Sequence, residues 1–258
     1  MASWSASQYL RFADERTRPC RDLVARIEVP NARRVIDLGC GPGNSTEVLA
    51  ERWPAAAITG ADSSAEMLQT AAEAHPAWHW EHSDIAEWAA APGDCYDVVF
   101  SNAALHWVLD HPHVVPKLLA RVNPGGAFAA QLPSYDSPAH RVSRNLAATP
   151  AWRHRFPNGV PGDWYTHEIA AYYDILAPHC LRLDLWETEY QHVLESQSAI
   201  VEWYKSTGLR PFLAVLTDPA ERDRFLAEYL KGLEEFYPVR ASGRVLFPFR
   251  RIFWIAYR

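Results

Sequence analysis

The sequence predicts an α/β protein, a doubly wound and mostly parallel sheet with helices on both faces. Three observations predict it. Short apolar runs alternate with amphipathic helical stripes through the first half of the chain. A glycine-rich turn, Gly39-Cys40-Gly41-Pro42-Gly43, closes the first of those runs. Acidic residues, Asp37, Asp62 and Asp84, then recur at or near the ends of successive runs. Open parallel sheets bind ligands beyond the carboxyl ends of their strands, so acids there mark a binding edge.

The elements follow in order. Arg33 to Leu38 reads as a strand that runs into the glycine turn. Asn44 or Ser45 is expected to cap the next helix, with Val48, Leu49 and Trp53 on its buried side. Ala57 to Ala61 is the second strand and ends in Asp62. Ser63 and Glu66 have capping-box spacing, followed by the stripe Met67, Leu68, Ala71 and Ala72. Trp78 to His82 is a weaker third strand ending near Asp84, and Tyr96 to Ser101 a fourth. Val114, Val115, Leu118, Leu119 and Val122 have helical spacing. Asn123-Pro124-Gly125-Gly126 reads as a turn before a fifth strand, Ala127 to Leu132.

Beyond Pro133 the pattern changes. Residues 134–180 are rich in aromatics and prolines and are expected to form a helical cap insertion. Residues 181–194 read as a core strand and 195–245 as a second helical cap insertion. In the latter, Asp218 caps, Pro219 opens the helix, and Phe225, Leu226, Tyr229, Leu230, Leu233, Phe236 and Tyr237 form its stripe. Residues 246–258 hold the last core strand, centred on Arg251 to Tyr257. Residues 1–133 form the binding core with an N-terminal lid segment.

Composition narrows the classes. The chain has 258 residues with 25 Lys plus Arg against 31 Asp plus Glu, a net charge of −6. That balance gives no general attraction to nucleic acid or to an anionic membrane. Cys20, Cys40, Cys95 and Cys180 form no CxxC pair, so no metal cluster is expected. No uncharged run has a spanning length of ~18 residues, and the first residues lack a secretory pattern, so a cytoplasmic protein is expected. Eleven Trp and eleven Tyr point to a densely packed core or an aromatic-walled pocket.

The glycine loop carries the chemistry. Its order is G-x-G-x-G, with Asn44 where a dinucleotide fingerprint would place its last glycine, and no Lys-Ser/Thr follows as in a P-loop. Asp37, two residues ahead of Gly39, disfavours a phosphate and favours a cationic ligand. Asp62 is placed to accept both ribose hydroxyls, and Asp84 to accept from an adenine amino group. A positively charged, phosphate-free nucleoside satisfies all three, and S-adenosylmethionine is such a molecule.

These residues resemble those of the class I S-adenosylmethionine-dependent methyltransferases, and more narrowly the trans-aconitate 2-methyltransferase family. The resemblance covers essentially the whole chain. It rests on Asp37 to Thr46, Arg52-Trp53-Pro54, Asp62-Ser63-Ser64 and Ser101 to Trp107. Tyr9 to Phe12 with Arg16, Tyr172 to Leu176, Thr207 to Pro211 and Phe247 to Arg251 carry it further. One departure is His106, where some relatives carry Gln. The resemblance implies a Rossmann-like class I fold. It implies that Asp37 and Gly39 face the methionine part, Gly41 allows close approach, and Asp62 with Ser63 holds the ribose. Asp84 and Ile85 would hold the adenine, and the Asn102 backbone the ammonium group.

The implied reaction is esterification of a carboxylate of a small polycarboxylic acid, trans-aconitate above all. A carboxylate with a pKa of about 4 is already ionised at neutral pH, so no general base is required. Donors for the remaining carboxylates are then the residues to seek. Arg210 is the first candidate clamp and Trp107 the second, its indole N–H donating near the methyl group; plant carboxyl methyltransferases, which this stretch resembles, use a Trp there. Tyr9 and Arg16, on the lid segment, and Tyr172 and Tyr173, in the cap, are further substrate-binding candidates. His106 could also donate, although it reads first as a structural histidine. Arg244, Arg250 and Arg251 read as surface or sheet-edge charges.

The partner is therefore a small carboxylic acid, with no nucleic acid, membrane or metal, on a monomer or small homo-oligomer. Another small acid or a malonyl carrier-protein thioester is the alternative acceptor. A nicotinamide-dependent oxidoreductase and a non-catalytic nucleoside-binding regulator are the alternatives of other classes. The glycine order disfavours the first, and the intact Asn102 to Trp107 segment the second.

Overall fold

A computed structural model describes residues 13–134, 136–159, 165–205 and 207–258, with side chains from residue 17 onward. Tyr9 lies outside these residues, as does the side chain of Arg16, whose backbone sits on helix α1 (Ala13–Val24).

Seven strands form one sheet in the order β3-β2-β1-β4-β5-β7-β6. They are β1 (Arg34–Leu38), β2 (Ala57–Asp62), β3 (His79–His82), β4 (Tyr96–Asn102), β5 (Val122–Pro133), β6 (Arg182–Leu194) and β7 (Val245–Tyr257). β1 pairs in parallel with β2 and β4, β2 with β3, and β4 with β5, while β7 runs antiparallel to β5. The strand order reverses between β1 and β4, which makes their carboxyl ends the switch point where such sheets bind ligands. The crossovers are α2 (Asn44–Arg52), α3 (Ala65–Ala74), α4 (Ile85–Ala90) and α5 (His111–Ala120).

Two compact units divide the chain. The sheet unit holds the described residues of Ala13–Pro133, Trp164–Thr188 and Arg251–Arg258. Its core packs Ile36, Leu38, Val99 and Phe128 against the helices, with Trp254 fully buried beside Phe128. The helical unit holds the described residues of Ser134–Asp163 and Glu189–Arg250. It contains α6 (Pro138–Ala148), α8 (Gln197–Lys205), α9 (Arg210–Val215) and α10 (Pro219–Leu233). Much of the aromatic content is here. Trp152, Trp203, Tyr204, Tyr229 and Tyr237 are fully buried, and Trp152 meets Phe225 edge to face at 5.1 Å. As expected, Asp218 caps α10, accepting from the Ala220 amide, and Phe225, Tyr229 and Leu233 are buried.

The expected cap boundary at 134–180 does not coincide with this division. Helix α7 (Ile169–Leu176) groups with the sheet unit. The reason is Tyr172, whose ring stacks on Trp254 at 4.6 Å in the core of the sheet unit. The aromatic run was legible, but not the surface that it covers.

Three local expectations are also corrected. Asn44 and Ser45 do not cap α2. Gly43, at φ 97°, is the N-cap, and the Ser45 hydroxyl goes to Asp37 instead. The cap of α3 is Ser64 rather than Ser63, with its hydroxyl 3.4 Å from the Met67 amide. Asn123 to Gly126 is no separate turn. It lies within β5, where the pairing with β4 shifts register between Tyr96 and Val98.

Candidate functional site

The glycine loop leaves β1 and is tied at once to β2. The amides of Gly39 and Cys40 both donate to the carbonyl of Ala61, at 2.8 and 3.1 Å. Gly39 has φ +74°, and a Cβ there would lie 2.2 Å from that of Ala104, so only glycine fits. Gly41 is different. Its φ is +55°, and a Cβ there would meet nothing within 4 Å. At Gly41 the loop thus presents bare backbone to open space at the switch point, and the turn from Gly39 to Gly43 forms the candidate cradle.

Asp37 lies beneath that loop with 0% exposure. Its Oδ2 accepts from the hydroxyls of Ser45 (2.6 Å) and Thr46 (2.7 Å), which anchors the first turn of α2. Its Oδ1 is buried with no hydrogen-bond partner. Burial pushes this carboxyl up to about 6; the two hydroxyls pull it down, and Asp62 pushes it further up. A buried acid with one vacant oxygen, beside a second acid, sets an environment that favours a cation.

Asp62 ends β2. Its Oδ2 accepts from the Gly41 amide at 2.9 Å and its Oδ1 from the Ser64 amide at 2.8 Å. Each carboxylate oxygen keeps a further acceptor position, and the two N–H bonds hold both in fixed directions. Ser63 is exposed, and its carbonyl faces His82 Nε2 at 2.9 Å. Asp84 is exposed and caps α4, with Oδ1 accepting from the amides of Ala86 and Glu87. That capping role was not foreseen, and it engages Oδ1 alone. Ile85 is buried, and its side chain would lie 3.4 Å from a Cβ placed on Gly39. Its position fits a packing role beside the cradle.

β4 delivers the opposite wall. Ser101 Oγ donates to the Leu38 carbonyl at 2.9 Å, which fastens the ends of β4 and β1 together. Asn102 is the last residue of β4, and Ala103 turns away at φ 53°. A short helical turn, Leu105–Trp107, follows, with His106 buried and Trp107 half-buried; their rings lie 4.7 Å apart.

The hydroxyls of Tyr172 and Tyr173 lie in different surroundings. Tyr172 has 0% exposure, and its oxygen lies 2.8 Å from His111 Nδ1. Tyr173, 57% exposed, lies on the outer side of α7. Adjacent helical residues point about 100° apart, so a neighbouring pair seldom shares a site. Arg210 is the first residue of α9 in the helical unit, half-buried, and burial holds its guanidinium below its usual pKa.

Arg251 was read as a surface or sheet-edge charge. Instead it is only 4% exposed, and its Nη1 donates to Gln131 Oε1 at 3.3 Å. Gln131, fully buried, donates in turn to Asn102 Oδ1 at 2.5 Å. Polar residues at inward positions of otherwise apolar strands were the signal for both. No group of His, Cys, Asp and Glu able to hold a metal occurs among the described residues, and the four cysteines are free thiols.

A methyltransferase-domain family model matches residues 35–126, the stretch that builds this cradle. A trans-aconitate 2-methyltransferase from Azoarcus sp. (strain BH72) is 48% identical over all of both chains. The chain belongs to the trans-aconitate 2-methyltransferase family. A second member, from Rhodopseudomonas palustris (strain BisB5), is 46% identical over 99% of each chain. The family assignment makes the chain a methyltransferase and sets aside the oxidoreductase reading. Solved structures agree on the fold. The YcgJ protein of Bacillus subtilis superposes with a TM-score of 0.60 at 16% identity, covering 93% of this chain and 99% of that one. A phosphoethanolamine N-methyltransferase of Haemonchus contortus gives 0.55 at 12% identity, covering 93% and 52%. The fold is therefore the Rossmann-like class I methyltransferase fold expected for the trans-aconitate 2-methyltransferase family. No helix among the described residues is long and apolar enough to cross a membrane.

Proposed function

We propose that this chain transfers a methyl group from S-adenosylmethionine to a carboxylate of trans-aconitate. The observation that carries the acceptor is the likeness, over the full length, to relatives named for that reaction. The cradle supports the donor: Gly41 leaves space, Asp62 offers two oriented oxygens, and Asp37 makes the site electronegative.

When bound, the cofactor supplies a sulfonium methyl group, an electrophile for in-line displacement. Every other task falls to the chain. In this reading Asp62 accepts from the ribose hydroxyls, Asp84 with Ile85 meets the adenine, and the Asn102 carbonyl accepts from the ammonium group. Asp37 acts through its charge and by anchoring α2, since its side chain is fully buried. Trp107 and Arg210 donate to carboxylates of the acid, and neither needs to move a proton, because the attacking carboxylate is already ionised. Binding the acid close to the methyl carbon and excluding water then supplies the rate enhancement. Tyr9 and Arg16 remain proposed contacts of the acid, as do a monomeric or small homo-oligomeric state and a cytoplasmic location.

The test is mass spectrometry after incubation with methyl-labelled cofactor and a panel of acids: trans-aconitate, cis-aconitate, citrate and a monocarboxylate. A labelled monomethyl ester of trans-aconitate, formed fastest, supports the reading. Preference for a monocarboxylate, or no ester at all, overturns it.

A further inference from the structure

The mechanism above uses the Asn102 carbonyl but leaves the side-chain relay Arg251–Gln131–Asn102 without a task. All three residues belong to the sheet unit, and the chain ends at the carboxyl end of β4. Its chemistry has a direction. A guanidinium carries donors only, so Gln131 must turn its oxygen to Arg251. The Gln131 NH2 then faces Asn102, which must present its own oxygen, as the 2.5 Å contact records. The Asn102 side chain is thereby fixed with its Nδ2 turned away from Gln131. No described residue accepts from that Nδ2, and Asn102 is half-buried. The main chain is held as well, since the Ala103 amide donates to the Gln131 carbonyl at 2.9 Å.

We infer that Arg251, acting through Gln131, sets the polarity of the Asn102 amide so that its Nδ2 donates to a carboxylate of a bound ligand. An N–H donor at the switch point, beside bare loop backbone, suits an anionic acceptor. The inference rests on the proposed reading, which brings two sources of carboxylate to this edge: the amino-acid end of the cofactor and the acid substrate. Asn102 is the contacting residue; Gln131 and Arg251 are positioning residues.

Two near-isosteric variants test it. Asn102→Asp keeps an oxygen for Gln131 Nε2 and replaces the outward donor by a negative oxygen. Gln131→Glu keeps an acceptor for Arg251 and removes the donor to Asn102, so the Asn102 amide reverses. Each variant is titrated with S-adenosylhomocysteine and with 5′-methylthioadenosine, which lacks the amino-acid end, and its KM for trans-aconitate is measured. Loss of about tenfold in affinity for S-adenosylhomocysteine alone supports the cofactor carboxylate as the source. A rise of about tenfold in KM alone, with both titrations unchanged, supports the substrate carboxylate. Equal weakening of both nucleosides marks a merely structural role and overturns the inference. So does a pair of folded variants with all three constants unchanged. Should either variant fail to fold, the isotope-labelled wild type decides: the Asn102 side-chain amide resonances must shift when S-adenosylhomocysteine or trans-aconitate is added, and no shift with either overturns the proposal.

Discussion

His111 Nε2 lies 2.9 Å from the carbonyl of Leu105, and this one bond ties helix α5 to the turn that carries His106 and Trp107. A carbonyl only accepts, so Nε2 carries a proton; burial lowers the His111 pKa and favours the neutral ring, in which Nδ1 accepts from the Tyr172 hydroxyl at 2.8 Å. The hydroxyl oxygen is left to accept from the His167 amide at 3.4 Å.

Tyr172→Phe is expected to lower stability by about 1–2 kcal/mol, because it strands the buried His111 nitrogen. Tyr173→Phe changes neither stability nor activity, since the ring is exposed. Urea unfolding of the two variants checks the contrast. Steady-state kinetics checks the activity, and a loss of activity in Tyr173→Phe would contradict the reading of its exposed hydroxyl.

Acid has opposing effects on two buried groups. His140 is lowered to about 3 by burial, so the unfolded chain binds its proton first. Its contribution is present above the unfolded value near 6.5 and is lost as pH falls toward 3. Asp37 is raised to about 6, so protonation of the folded state gains stability as pH falls from about 6 to about 4. Between about pH 6 and 4 the two oppose each other; from about pH 4 to 3 the His140 term acts alone and stability falls. Urea midpoints across that range check the two slopes, and a steep loss that begins at pH 6 would contradict them.

Asp37→Asn removes a buried charge but keeps an oxygen for Ser45 and Thr46. At about pH 8 it should stabilise the fold by up to about 3 kcal/mol, the linkage value of the raised pKa. The same change should weaken S-adenosylmethionine binding, because the site loses its negative potential. Thermal unfolding and calorimetric titration of one sample check both signs. A loss of stability with unchanged affinity would contradict the role given to Asp37.

Gly39→Ala and Gly41→Ala should fail in different ways. At Gly39 the new Cβ collides with Ala104, so folded protein is lost. At Gly41 the protein folds, at a cost of about 1–2 kcal/mol for the left-handed backbone, but the methyl occupies cradle space and cofactor affinity falls. Circular dichroism with cofactor titration separates the two.

Arg210→Ala should raise the KM for trans-aconitate about tenfold or more while leaving cofactor affinity unchanged, as loss of a charge-assisted contact to a carboxylate requires. Steady-state kinetics with the two substrates varied separately is the check.

The sheet was legible because β1, β2 and β4 carry compact apolar runs and each ends in a recognisable break. The glycine order and the acids at strand ends located the cradle for the same reason. Cap positions were less legible. Ser45 has the chemistry of a capping residue, but the Asp37 carboxylate eight residues earlier takes its hydroxyl, a contact that local sequence cannot encode. The Asn123 to Gly126 segment has turn chemistry yet is absorbed by a strand through a register shift. Arg251 reads as a surface or sheet-edge charge, whereas β7 lies between β5 and β6 and Arg251 is buried opposite Pro133. Whether a long aromatic run covers the sheet or builds a separate unit is decided by partners distant in sequence, as the stacking of Tyr172 on Trp254 shows.

The central claim is that the loop from Gly39 to Gly43 receives a cationic, phosphate-free nucleoside. Calorimetric titration of the full chain with S-adenosylmethionine and, separately, with a nicotinamide dinucleotide tests it most directly. The account requires saturable one-to-one binding of the first and none of the second. Heat from the dinucleotide alone, or from neither, would contradict it.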